Sequence, residues 1–164
     1  MVERGVRFVQ LYAGGGNTNF LNFWDAHGNL VANHNRNALR TDKPIPALLT
    51  DLKQRGLLDE TLIVMGSEFG RTPRISTIPG AKLPGRDHWG GCQSILLAGG
   101  GVHGGAVIGA SDRIGAFPAE SAQRPENLAA TIYEALGLPR TAEWRDPLDR
   151  PHRVYDGEPI KGLV

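Results

Sequence analysis

Apolar and polar positions along the chain fall into three patterns. Val6 to Tyr12 (Val-Arg-Phe-Val-Gln-Leu-Tyr) alternates until its end and predicts a strand. Leu62–Met65 and Ser94–Ala98 are unbroken apolar runs bounded by turn formers, the pattern of strands buried on both faces of a parallel sheet. Ile45, Leu48, Leu49 and Leu52 recur instead at helical spacing, one apolar stripe of a helix predicted over Asp42–Arg55. Pro44 and Pro46 are confined to its first turn, and Gly56 is placed to stop it. A last helix, Pro125–Leu136, presents Leu128, Ala129, Ile132, Tyr133 and Leu136 and ends at Gly137 and Pro139. Helix, short loop and buried strand make an α/β unit. The predicted architecture is a three-layer α/β sandwich with a mostly parallel central sheet. Residues 1–164 are expected to form one domain, with 141–164, rich in proline and charge, as a surface tail.

The polar stretches decide where chemistry would sit. Residues 13–17 (Ala-Gly-Gly-Gly-Asn) read as a loop, and Asn33–Arg40 as a polar segment with a solvated His34. Three packets of ionisable groups stand near the predicted strand ends: Asp25 with His27, Glu68 with Arg71, and Arg86-Asp87-His88. In open α/β sheets ligands gather beyond the carboxyl ends of the strands. Asp25 and His27 are two apart, so in an extended segment both side chains face one way, an arrangement suited to a divalent ion. Glu68 and Arg71 read equally as an ordinary surface pair. The loop before Asp87, with Pro73, Pro79 and Pro84, is long for a compact domain, a feature of functional or disordered loops. Gly99-Gly-Gly-Val-His-Gly104 matches the dinucleotide fingerprint by letter, but the next stretch, Gly105–Gly109, reads as a strand or hairpin arm where a helix is required. The nucleotide reading fails on that point, and His103 is a turn residue.

Composition narrows the partners. The formal net charge is +1, which gives no basis for nucleic acid as a partner. The 22 glycines and 11 prolines imply many turns. Cys92 is the single cysteine, so an intrachain disulfide is excluded, and it reads as a small buried hydrophobe. No apolar run reaches membrane-spanning length, and the N-terminus has no signal-peptide core. That start fits a cytoplasmic protein if the chain is complete, or an exported one if a longer parent carries a signal upstream.

Read in order, the packets resemble the metal-ligand half of the alkaline phosphatase–sulfatase superfamily. The closest resemblance is to its sulfatase-like branch known as domain of unknown function 1501. It rests on Trp24-Asp25-x-His27, Gly66-x-Glu68-Phe-Gly-Arg-Thr-Pro73, Gly85-Arg-Asp-His-Trp89, Leu97-Ala-Gly-Gly-Gly101 and Gly104-Gly-x-Val-Ile-Gly109. The C-terminal helix and its Gly137-Leu-Pro139 ending are also similar. The resemblance implies an alkaline-phosphatase-like fold and a divalent ion, Zn²⁺ or Mn²⁺, Mg²⁺ or Ca²⁺, held by Asp25, His27, Glu68 and His88. Asp87 is then a further ligand or the group that orients His88. Arg71 or Arg86 would hold the oxygens of a phosphate or sulfate ester, carried by a small molecule or a glycan. Where phosphatase relatives carry Asp-His, this chain has Glu68-Phe69, so one ligand is lost. The resemblance also places the nucleophile and an early carboxylate on an N-terminal half that precedes this sequence, so the fold is expected to be incomplete there, with an unpaired sheet edge open to self-association.

Two functions emerge as expectations. One is a metal-dependent hydrolase of phosphate or sulfate esters whose nucleophile lies outside this chain. The other is a non-catalytic metal-binding or structural remnant, or a subunit completed by another polypeptide. Ser67 is the nearest candidate nucleophile in the chain, in a weak context beside Glu68.

Overall fold

The computed structural model describes residues 1–13 and 24–163. The loop expected over 13–17 lies, from Gly14 on, outside the described residues. In chain order the elements are a short 3-10 turn (Val2–Arg4), α1 (Leu30–Thr41), α2 (Pro44–Gln54), β1 (Ile63–Met65), β2 (Gly70–Arg71), β3 (His88–Trp89), β4 (Leu96–Ala98), β5 (Ala110–Ser111), β6 (Pro118–Glu120), α3 (Pro125–Ala135), β7 (Glu143–Arg145) and β8 (Pro151–Arg153). They divide between two compact units. One is Met1–Ile45 with Arg74–Asp87, and the other is Pro46–Pro73 with His88–Val164.

The three-layer sandwich with a parallel, alkaline-phosphatase-like central sheet is not formed. The described strands pair only two by two, and every pair is antiparallel. Ile63, Val64 and Met65 face Ala98, Leu97 and Leu96, and Gly70 and Arg71 face Trp89 and His88. These two ladders are nested. The chain runs out through β1 and β2 and returns through β3 and β4. Parallel pairing needs a crossover, normally helical, and no helix lies between β1 and β4. Nor are these strands buried on both faces, since Val64, Met65 and Leu96 are exposed. Val6–Tyr12 forms no strand, and Phe8, Leu11 and Tyr12 are about four-fifths exposed (79–82%). Alternation marks two faces but supplies no ladder partner, and without one a strand does not form.

In the first unit the polar segment Asn33–Arg40 lies within helix α1. Its inward stripe is polar: Asn33 and Asn37 are buried, and Asn37 Nδ2 donates to the Asn33 carbonyl at 3.0 Å and to Asn33 Oδ1 at 3.2 Å. The apolar residues Val31 and Leu39 point outward. His34 is half-buried, its ring 5.7 Å from that of Trp24.

The second unit is held by helix ends and by the C-terminal segment. Helix α2 stops at Gly56 in the left-handed region (φ 70°), with the Leu57 N–H on the Leu52 carbonyl at 2.8 Å. Helix α3 stops the same way at Gly137 (φ 76°), with the Leu138 N–H on Tyr133 at 2.9 Å. The face of α3 that is fully covered is Ala130 and Thr131, whereas Leu136, predicted to be inside, is exposed. The C-terminal segment is what covers that face. The Ile160 N–H donates to Thr131 Oγ1 at 2.9 Å, Asn127 Nδ2 to the Glu158 carbonyl at 2.8 Å, and Tyr155 stacks on Tyr133. Gly157 lies so close to the Glu126 carbonyl that a Cβ would collide with it. Residues 141–163 are therefore a β7–β8 hairpin followed by a strap along α3. No helix among the described residues is long and apolar enough to cross a membrane.

Two carboxylates fasten this region. The backbone N–H of Arg150 on Asp146, with further hydrogen bonds from Arg150, His152 and Leu148, holds the Asp146 carboxyl below its usual range. The Arg140 guanidinium, hydrogen-bonded at 2.9 and 2.5 Å, does the same for Glu158. A depressed carboxylate adds stability that is present above its unfolded-state range and is lost as pH falls through the lowered value. Amide protection factors in β7–β8 are therefore expected to hold at neutral pH and to fall below about pH 4. Protection that persists unchanged at pH ~2 would contradict this.

Candidate functional site

In the first unit the chain sets two carboxylates about one imidazole. Ala26 is buried, and its neighbours Asp25 and His27 are turned to a common side, where His27 Nε2 lies 2.9 Å from Asp25 Oδ1. The second carboxylate arrives from far along the sequence, with Asp87 Oδ1 2.6 Å from His27 Nδ1. Backbone hydrogen bonds bring it there. The Arg86 N–H donates to the Ala26 carbonyl at 2.9 Å, Leu30 N–H to Pro84 at 3.1 Å and Asn29 N–H to Leu83 at 3.4 Å. Gly85 fixes the register between them. Its N–H and C=O pair with Ser76 at 2.9 and 3.0 Å, and a Cβ on it would run into the backbone of His27 and Ala26. The His27 side chain is 35% exposed and both carboxylates 44%, so the cluster is open to solvent on one side.

A carboxylate on each side of one ring imposes a constraint. A neutral imidazole has one N–H and one lone pair, and carboxylates only accept. With a carboxylate oxygen against each ring nitrogen, one of the two contacts requires a further proton, on the ring or on the carboxyl, or a metal ion. Asp87, read from the sequence as a ligand or as the partner of His88, stands on the far nitrogen of His27. That is where the carboxylate behind a metal-bound histidine stands. Arg86 is half-buried, and its backbone takes part in the docking of the loop.

The remaining predicted residues belong to the second unit. Glu68 is exposed in the turn after β1. Ser67 Oγ donates to the Phe69 carbonyl at 2.6 Å, which makes it a turn-forming hydroxyl. Arg71 on β2 faces His88 on β3. Phe69 lies against both, its ring 4.3 Å from the His88 ring and 5.6 Å from the Arg71 guanidinium carbon. In the sequence Phe69 registers only as a missing ligand. A signal for its place is nonetheless present: Phe69 and Arg71 are two apart, so in extended chain they share a face. Cys92 is a half-buried free thiol whose carbonyl oxygen packs against Gly70. The glycine-rich stretch after β4 is a turn, with the Gly100 N–H on Leu58 at 2.9 Å and Val102 on Gly99 at 3.1 Å, and no helix comes directly after it.

A family model described as protein of unknown function (DUF1501) matches residues 1–164. The chain belongs to that family. Comparison with curated proteins and with solved structures found no match. In this DUF1501 chain the Gly85–Asp87 phrase has a structural reading: the glycine permits the close approach, and the aspartate reaches the histidine. Gly85→Ala is therefore expected to cost about 1–3 kcal/mol, the range for forcing extra atoms into a filled space. It should also abolish the His27–Asp87 contact, which histidine side-chain NMR would report. A variant of wild-type stability with an unchanged His27 signal would refute this construction of the site.

Proposed function

We propose that this chain provides a divalent-metal site for hydrolysis of phosphate or sulfate esters, the activity type of the sulfatase-like proteins its motifs resemble. The observation that carries the reading is His27 with a carboxylate on each ring nitrogen. The donor set fits the ion. Two ligand atoms each bonded to a tetrahedral zinc at about 2.0–2.1 Å lie about 3.3 Å apart. The Nε2–Asp25 contact of 2.9 Å needs to open only slightly to take such an ion. Asp25 and His27 would be the ligands, and Asp87 would hold the Nδ1 proton and so present Nε2. Glu68 and His88 enter the ligand set through the motif resemblance, and so does the role of Arg71 or Arg86 in holding ester oxygens through paired hydrogen bonds. When bound, the ion would polarise the ester oxygen and lower the pKa of the attacking group. Ser67, the nearest candidate nucleophile, is engaged as a turn-forming hydroxyl that donates to the Phe69 carbonyl. The chain by itself is therefore expected to bind metal and to turn over little or no ester.

A second reading has the same observation behind it. A doubly protonated His27 also satisfies both carboxylates, and the cluster would then be a structural clasp without metal. Calorimetric titration with Zn²⁺ and Mn²⁺ separates the two. The metal reading predicts one site that weakens as pH falls, since protons compete for Nε2. His27→Ala should abolish binding, and Asp87→Asn should weaken it roughly 10–100-fold. Absence of binding at millimolar metal, or binding unchanged in His27→Ala, would favour the clasp. Aryl phosphate and aryl sulfate assays with and without metal complete the test. Metal-dependent turnover by the chain alone would overturn the expectation that it turns over little or no ester.

A further inference from the structure

We infer that two copies of this chain pair by exchanging Val6–Tyr12, which each copy adds as an edge strand to the β1–β4 ribbon of the other. Val6–Tyr12 has the composition of a strand and no ladder. The backbone of residues 7–12 makes no hydrogen bond to another described residue. Its large side chains stand in water, Phe8, Leu11 and Tyr12 most of all, with Val6 and Val9 partly so. Placed in a strand, Val6, Phe8 and Tyr12 turn to one face and Val9 and Leu11 to the other. Both faces are then apolar, the pattern of a strand that is covered on both sides. The need for cover is greatest in the first unit, where Ala26 is the only buried apolar side chain among the described residues.

The β1–β4 ribbon offers the matching edge. Each of its strands has three residues and, among the described residues, a single hydrogen-bonded neighbour. A lone two-stranded ribbon is marginal in water, and a third strand with an apolar face gives it independent stability. Met65 and Leu96 are opposed in the ladder and share one face, while Val64 lies on the other. All three are exposed, so the ribbon too is apolar on both faces. No charge or proline interrupts Ile63–Met65 or Leu96–Ala98, the usual means by which an open edge avoids pairing. The occupant is a second copy because one chain carries both the segment and the edge that it fits. Reciprocal exchange serves both at once and closes as a two-fold dimer. A formal net charge of +1 sets up little repulsion between copies. Phe8 and Tyr12 each bring about 150–250 Å² of surface to bury. With Leu11 and the ribbon residues they meet, two insertions reach the about 1,200–2,000 Å² of a specific interface.

Sedimentation of the full chain over a range of concentrations tests the exchange, with chelator present so that metal-bridged copies do not count. Wild type should be a dimer from micromolar concentration upward. Hydrogen exchange at residues 7–12 and along the β1–β4 ribbon should slow as the dimer forms. Leu11→Lys puts a charge on the segment and Val64→Lys puts one on the ribbon, and each variant alone should lose the dimer. Both positions are exposed in the single copy, so helix content by circular dichroism should stay at the wild-type level. Met65→Lys takes the place of Val64→Lys should the latter fail to fold. An equimolar mixture of the segment and ribbon variants should regain dimers, because one intact segment and one intact ribbon still meet. A wild-type monomer, a dimer that survives Leu11→Lys, protection of residues 7–12 in the monomer, or no dimer from the mixture would each overturn the inference.

Discussion

A histidine with a carboxylate on each ring nitrogen presents more acceptors than a neutral imidazole can serve. His27 stands in that position between Asp25 and Asp87, and the local structure of the first unit comes from bringing the three together. Asp25 and His27 come from one short link in which buried Ala26 turns its neighbours to a common side. Asp87 comes from the end of a long loop, docked by backbone hydrogen bonds to Ala26, Asn29 and Leu30. Gly85 is the pivot of that docking because any side chain would collide with the His27 backbone. The polar helix α1 begins directly after this link, with asparagines inward.

The second unit is built on a different constraint, a chain that doubles back without a crossover. Strands β1 to β4 nest as antiparallel ladders for that reason, and the ribbon at their far end presents Arg71 and His88 together. Its other organising feature is the strap from Tyr155 to Ile160, whose hydrogen bonds to Asn127 and Thr131 make the small residues of α3 its inner face. Charge fastens the strap and the hairpin before it, through Arg140 with Glu158 and Arg150 with Asp146. Such exposed pairs contribute modestly to stability, and here they chiefly fix geometry.

Local features are legible in the sequence and long-range ones are not. Helices α2 and α3 carry apolar spacing with proline at the start and glycine past the end, and both form within two residues of the predicted limits. The approach of Asp25 to His27 can be read from a spacing of two. Helix α1 cannot, because its inward stripe is Asn33, Asn37 and Thr41, which no hydrophobic count detects. Val6–Tyr12 has strand alternation, but the pattern does not say whether another strand lies beside it. The apolar runs at Leu62–Met65 and Ser94–Ala98 mark strands correctly, yet runs of so few residues hold no information on direction. A parallel sheet is therefore expected from them where an antiparallel pair forms. Asp87 is visible as a reactive carboxylate, but its partner, His27, depends on loop docking that only the folded backbone reveals.

In the proposed metal site the ion sits on His27 Nε2, and Asp87 keeps the proton on Nδ1. Long-range proton–nitrogen NMR of the His27 ring, recorded before and after one equivalent of Zn²⁺, separates this site from a metal-free clasp. A metal site predicts that Nε2 shifts to a metal-bound position while Nδ1 stays protonated, and that Asp25→Asn weakens this response. Two protonated ring nitrogens that are unchanged by zinc would contradict it and leave the cluster as a clasp.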